Sequence, residues 1–196
     1  MVTAMRVGIA HRSANAGEVC GDLAGSWGPC GADGVAVVAI ADGLGHGAPA
    51  AEAAAKAMLY ISERWHDDLL DLFTGMNRVL KMTRGAAVGI AKIDLAARAL
   101  TYAAVGNTRA AVFGRRATRL DGYAGIVGGG YRTLRTSGTS FHPDDTLVLW
   151  SDGVEALLDC CGDQDAEVEA LANGLLTRFA RGHDDQCVIV ARFGPA

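Results

Sequence analysis

The sequence predicts an α+β fold, with mainly antiparallel sheets and helices grouped apart from most of the strands. Three observations carry this. The hydrophobic period changes in blocks (strands, two helices, more strands, a helix, a last strand) and does not alternate strand by helix. Half of the 196 residues are hydrophobic and a fifth are charged, enough apolar material for one sizeable core. Glycine is abundant at 26 residues and proline scarce at 4, as expected of ordered elements joined by tight turns. No repeat and no Pro- or Ser-rich linker divides the chain, so residues 1–196 are expected to form a single domain.

Residues 2–11 and 18–27 read as strands, and residues 35–40 as a third, six apolar residues rich in β-branched types that run into Asp42-Gly43. The period then becomes helical. Over 47–64, Ala50, Ala54, Ala57, Met58 and Ile61 recur on one face; over 67–81, Leu69, Leu70, Phe73, Met76, Val79 and Leu80 do the same. Residues 87–94, 100–105 and 109–114 form a strand meander with turns at 95–98 and at Gly106-Asn107. Glycine-rich residues 122–130 carry no period and are expected to be a mobile loop. Residues 147–150 form a short buried strand, 165–179 an amphipathic helix and 187–193 a final buried strand.

Charge and cysteine usage exclude several functions. A net charge of −4 gives no basic footprint, so neither nucleic acid nor an anionic membrane is an expected partner. There is no uninterrupted apolar run of membrane-spanning length and no basic-then-apolar leader, which predicts a soluble, cytoplasmic protein. Cys20, Cys30, Cys160, Cys161 and Cys187 are odd in number and form no C-x-x-C pair, which argues for free thiols over disulfides or zinc.

A local design recurs at distant positions. Apolar strands run into Asp42-Gly43 and into Ser151-Asp152-Gly153, and His183-Asp184-Asp185 leads into the last strand; Glu18 and Asp22 add acidic groups earlier. Any one Asp-Gly alone reads as a turn. Carboxylates gathered at the mouths of adjacent buried strands would repel and raise one another's pKa, and a hard divalent cation relieves that. With no H-E-x-x-H and no paired Cys/His, Mg²⁺ or Mn²⁺ is favoured over zinc.

Asp42-Gly43-Leu-Gly45-His46-Gly47 before an Ala-rich helix, then the 147–154 segment, then Asp184-Asp185 before a valine-rich strand, resemble the PPM metal-dependent Ser/Thr protein phosphatases, in particular the SpoIIE-like branch. The resemblance runs from Glu18 to Val190. It implies an αββα sandwich of two mainly antiparallel sheets flanked by helices, with two Mn²⁺ or Mg²⁺ ions at one end. On the matching positions it makes Asp42 the carboxylate shared by both ions and Gly43 a carbonyl ligand. Asp152 and Asp184 become ligands of one ion and Asp22 a ligand of the other, with Glu18 competing for that last role. Two such ions activate a water and clamp the attacking and leaving oxygens of an in-line displacement. The role of Asp185 stays open. The family's phosphate-gripping arginine before the early acidic residue is missing, and Arg12 is the nearest upstream candidate.

His46 reads either as a general acid for the leaving oxygen or as a turn residue before the helix. The glycines at 43, 45 and 47 lack both the dinucleotide spacing and a Gly-Lys-Ser/Thr, and Ser151 lacks a G-x-S-x-G context. The resemblance also implies a phosphorylated protein partner, a STAS-domain protein of a stressosome. Residues 122–135, with Tyr123, Tyr131, Arg132 and Arg135, are the expected recognition segment. A monomer is expected. The alternative is a catalytically silent binding module of the same fold, although the retention of Asp22, Asp42, Asp152 and Asp184 argues against it.

Overall fold

A computed structural model describes residues 3–28, 34–155 and 166–195. Two five-stranded sheets face each other. The first has the order β1-β12-β11-β6-β7 and the second β10-β5-β4-β3-β2, with every neighbouring pair antiparallel. The first contains β1 (Thr3–Arg12), β6 (Arg109–Phe113), β7 (Ala117–Leu120), β11 (Thr146–Trp150) and β12 (Gln186–Pro195). The second contains β2 (Asp22–Trp27), β3 (Val35–Gly43), β4 (Ala86–Asp94), β5 (Ala99–Val105) and β10 (Ser137–Ser140). Helices α1 (Ala48–Arg64) and α2 (Leu69–Val79) follow β3, and α3 (Val168–Phe179) precedes β12.

The period-2 geometry of a strand explains why the strand sequences are apolar throughout. Val37, Ala39 and Ala41 of β3 point at α1 and α2, where they join Ala53, Ala57, Ile61, Phe73 and Met76. Val38 and Ile40 point the other way, into an inter-sheet core with Leu147, Leu149, Ile189 and Ala191. In β11 and β12, Val148, Trp150, Val188 and Val190 face α3, packing on Ala172, Leu175 and Leu176. Each central strand is covered on both faces, so it cannot show a polar side. The layers are therefore α/β/β/α, as the resemblance implies.

Helix α1 lies close on its sheet because its buried face is built of Ala50, Ala53, Ala54 and Ala57. Asp68 caps α2 by accepting the Leu70 N–H at 2.8 Å. A short 3-10 turn at Leu80–Met82 ends that region in place of the last helical turn expected at 80–81. Helix α3 starts at Val168, and the expected start at 165 lies outside the described residues. Cys20 and Cys187 are buried free thiols; the other three cysteines also lie outside the described residues. Among the described residues no helix is long and apolar enough to cross a membrane.

Two expectations need correction. The early strand begins at Asp22, not at residue 18, because Glu18 belongs to the preceding turn, where its N–H donates to the Asn15 carbonyl at 3.2 Å. Residues 122–130 are not an irregular loop. β8 (Gly125–Ile126) and β9 (Gly130–Tyr131) form a hairpin, and Ala86 and Val127 exchange both backbone hydrogen bonds at 3.0 and 2.9 Å. Asn77 Oδ1 accepts the Gly128 N–H at 2.8 Å, and Val127 is fully buried. Gly128, at positive φ, lets the hairpin turn close against Leu80, and Gly125, also at positive φ, lets its two strands approach at Tyr131; a side chain at either would not fit.

Candidate active site

The four expected acidic ligands come from both sheets and arrive at one end of the sandwich. Asp22, the first residue of β2, and Asp42, the penultimate residue of β3, are register partners. Asp152 lies two residues beyond β11 and Asp184 two before β12, and those strands are hydrogen-bonded neighbours. Asp42, Asp152 and Asp184 line an open cleft of about 450 Å³ together with Leu44, Gly45 and Asn107. Asp22 is buried beside them. The glycines that follow the aspartates have a packing role. A Cβ on Gly43 would collide with the Ala50 carbonyl in the first turn of α1, and one on Gly153 with the Asp185 carbonyl. Helix α1 and the approach to β12 can thus press directly onto the strand ends.

The electrostatics follow from this crowding. Burial holds the Asp22 carboxyl well above the usual carboxylate range; Ser151 offsets part of this, and the charges of Asp185, Asp184 and Asp152 add to it. Burial also raises Asp42, followed by repulsion from Asp22, Asp152, Asp184 and Asp185. Asp184 is raised by burial and by Asp152 and Asp185, against the opposing effects of a backbone bond and of His46. Asp22 Oδ2 is buried with no hydrogen-bond partner. An orphaned carboxylate oxygen inside a ring of carboxylates fits a hard divalent cation, whose preferred ligands are oxygens. Among the described residues no group of three or more histidine, cysteine or carboxylate side chains is placed closely enough to hold a metal ion by itself. In the open cleft a cation's remaining ligands would have to be backbone carbonyl, water or substrate oxygens.

The sequence profile of the family described as Stage II sporulation protein E (SpoIIE) matches residues 32–194. The chain belongs to the SpoIIE family. Over 73 residues this SpoIIE-family chain is 36% identical to phosphoserine phosphatase RsbX of Bacillus subtilis, a match spanning 37% of this chain and 37% of that protein. A solved chain from the bacterial stressosome, described as a modular system adapted to control secondary messenger signalling, is 27% identical. It superposes with a TM-score of 0.88 over 96% of this chain and 99% of that one. RsbX in complex with magnesium superposes with a TM-score of 0.82 at 21% identity, over 99% of this chain and 100% of that one. These likenesses agree with the α/β/β/α layering and with the PPM-type fold expected from the motifs.

Other residues of the SpoIIE-family mouth take distinct places. Glu18 is exposed, accepting from Asn15 Nδ2 at 3.2 Å and pairing with His46 Nδ1 at 3.2 Å, so the buried acidic neighbour of Asp42 is Asp22. His46 is exposed on the connection to α1, within electrostatic reach of Asp184. Ser151 is fully buried, its Oγ accepting the Cys187 N–H at 2.9 Å, which suits a brace and not a nucleophile. His183 is exposed and Arg12 closes β1 opposite Gln186; neither lines the cleft.

Two functional contacts escaped the sequence reading. Asn107, read as a hairpin residue, lines the cleft and donates from Nδ2 to Asp152 Oδ2 at 2.5 Å. Asp185 accepts the Ala14 N–H at 2.8 Å and the Gly21 N–H at 2.7 Å, and so pins the backbone just before Asp22 to the start of β12. The only sequence signal for Asn107 is its place at the same end of the strands as Asp152. Asp185 gives none beyond its adjacency to Asp184.

Proposed function

We propose that this chain is a manganese- or magnesium-dependent protein serine/threonine phosphatase. It hydrolyses phosphoserine or phosphothreonine on a partner protein, a phosphorylated STAS-domain protein of a stressosome, and acts as a cytoplasmic monomer. The convergence of Asp22, Asp42, Asp152 and Asp184 on one cleft from two sheets carries this reading. Two bound ions would supply an activated water and Lewis-acid stabilisation of the attacking and leaving oxygens.

The chain's own groups then divide the work. Asp42 is the register partner of Asp22 and lines the cleft with Asp152 and Asp184, which suits the carboxylate shared by the two ions. Asp22 and the Gly43 carbonyl would hold one ion, and Asp152 and Asp184 the other. Asn107 fixes the orientation of Asp152. Glu18 accepts from His46 Nδ1–H and so orients the ring; in its doubly protonated form the ring would offer its Nε2–H to the departing serine or threonine oxygen. The likeness to RsbX and to a stressosome chain supports the choice of partner.

The test is hydrolysis of p-nitrophenyl phosphate and of a phosphoserine-bearing STAS protein, with Mn²⁺ or Mg²⁺ and after EDTA. Turnover that needs the cation and survives alkylation of the cysteines is expected. Binding of the phosphorylated partner without hydrolysis at saturating Mn²⁺ would favour the silent binding module.

A further inference from the structure

One cation at the cleft rim has no role in the reading above. Arg84 is exposed and does not itself line the cleft, but its chain neighbours tie into two of the segments that do. On one side is Gly45, a lining residue, where a Cβ would fall 2.7 Å from Arg84 Nη1; the guanidinium therefore rests against that glycine. On the other side is the β8–β9 hairpin, whose Gly125 and Ile126 also line the cleft. The backbone around Arg84 is clamped to both walls. Leu44 N–H donates to the Gly85 carbonyl at 3.0 Å, Gly85 N–H donates to Thr83 Oγ1 at 3.0 Å, and Ala86 is bonded in both directions to Val127.

Among the described residues no carboxylate or other acceptor engages Arg84. Arg84 thus combines a fixed backbone, an unengaged guanidinium and a place beside a cleft rich in carboxylates.

A charge count says what such a group is for. Ionised Asp22, Asp42, Asp152 and Asp184 already match two divalent cations and Asp185 adds a further negative charge beside them, so the loaded cleft has no surplus positive charge for a phosphoryl group carrying roughly −2 at neutral pH. A guanidinium at the rim supplies that charge, and its planar fork suits two phosphoryl oxygens at once.

We propose that Arg84, whose guanidinium lies beside the lining residue Gly45, grips the phosphoryl oxygens of the bound substrate in preference to Arg12, which ends β1 opposite Gln186. The inference rests on the phosphatase reading. It is tested with Arg84→Gln and Arg84→Lys, and with Arg12→Gln as a matched loss of one charge. Inorganic phosphate is the probe, measured as a competitive inhibitor of p-nitrophenyl phosphate hydrolysis and, independently, by calorimetric binding to the Mn²⁺-loaded protein. Arg84→Gln should weaken phosphate by about ten-fold or more, on the scale of a lost charged hydrogen bond. Arg84→Lys should recover part of this, Mn²⁺ affinity should hold, and Arg12→Gln should stay close to wild type. Unchanged phosphate affinity in Arg84→Gln, or an equal loss in Arg12→Gln, overturns the assignment. A wild type that binds phosphate through Arg84 yet hydrolyses no phosphoester at saturating Mn²⁺ overturns the phosphatase reading instead.

Discussion

The two sheets deliver their carboxylates to the mouth in different ways. Asp22 and Asp42 stand inside hydrogen-bonded strands, as register partners, with Asp22 buried and Asp42 half-buried. Asp152 and Asp184 stand in turns just outside β11 and β12; Asp184 is exposed and Asp152 is held by the Asn107 amide. A strand-borne pair gains a fixed geometry from the ladder but must be taken out of water, which disfavours its charge. A turn-borne pair keeps its water and gives up some of that precision. The strand side should therefore dominate catalysis and set the stability of the metal-free protein, while the turn side tunes affinity.

The largest expected effect follows from removing the carboxylate that both ions share. Asp42→Asn at saturating Mn²⁺ should lower turnover by roughly 10³-fold or more, the scale of several kcal/mol of transition-state stabilisation. Near-wild-type turnover in a folded mutant would break the comparison at its centre.

A second effect is the response of the metal-free protein to pH. Asp22 and Asp42 are raised from 3.8 to about 7 and about 9, so between those limits the native state binds more protons than the unfolded chain. Their contribution to stability is full below pH 4 and is lost as pH rises through that window. In EDTA the thermal midpoint should fall between pH 5 and pH 8 more steeply in the wild type than in Asp42→Asn. Saturating Mn²⁺ should flatten the wild-type slope. Equal slopes for the two proteins in EDTA would remove Asp42 as its source.

Smaller effects belong to the turn side and the rim. Asn107→Ala should weaken Mn²⁺ by about ten-fold, the scale of losing a group that orients a ligand, while leaving metal-free stability near wild type. Calorimetric titration of Mn²⁺ checks this, and an unchanged affinity would make Asn107 a turn residue after all. Shortening the glycine run of the β8–β9 hairpin should slow dephosphorylation of the protein substrate several-fold, with less effect on p-nitrophenyl phosphate. Because Val127 is tied to Ala86 in β4, an equal loss on both substrates would mean that the hairpin supports the site and reads nothing.

The sequence made the long elements and four of the mouth carboxylates legible, because double-sided burial leaves continuous apolar runs and these runs begin or end beside an acidic residue. It could not separate Glu18 from Asp22: four residues apart on one strand they would share a face, and only the start of β2 at Asp22 divides them. β10 was invisible because Ser137–Ser140 is a polar edge strand with no period to read. The hairpin escaped for a different reason. Its strands have two residues each, and its order comes from Ala86 and Asn77, far away in the sequence. Asn107 and Asp185 act through contacts 45 and 164 residues distant, and no local pattern encodes those.

β1 has one hydrogen-bonded neighbour, and that neighbour is β12. On the ribosome, β1, β2 and β3 emerge long before β12 exists, so Asp22 and Asp42 are made early into a chain that cannot yet use them. Throughout translation β1 remains an open edge, the kind of surface that invites pairing with another chain. When β12 finally slots between β1 and β11, the same event brings in Asp184 and lets Asp185 reach back to Ala14 and Gly21 across 171 and 164 residues. Completion of the sheet and assembly of the cleft are thus one step in the life of a newly made molecule.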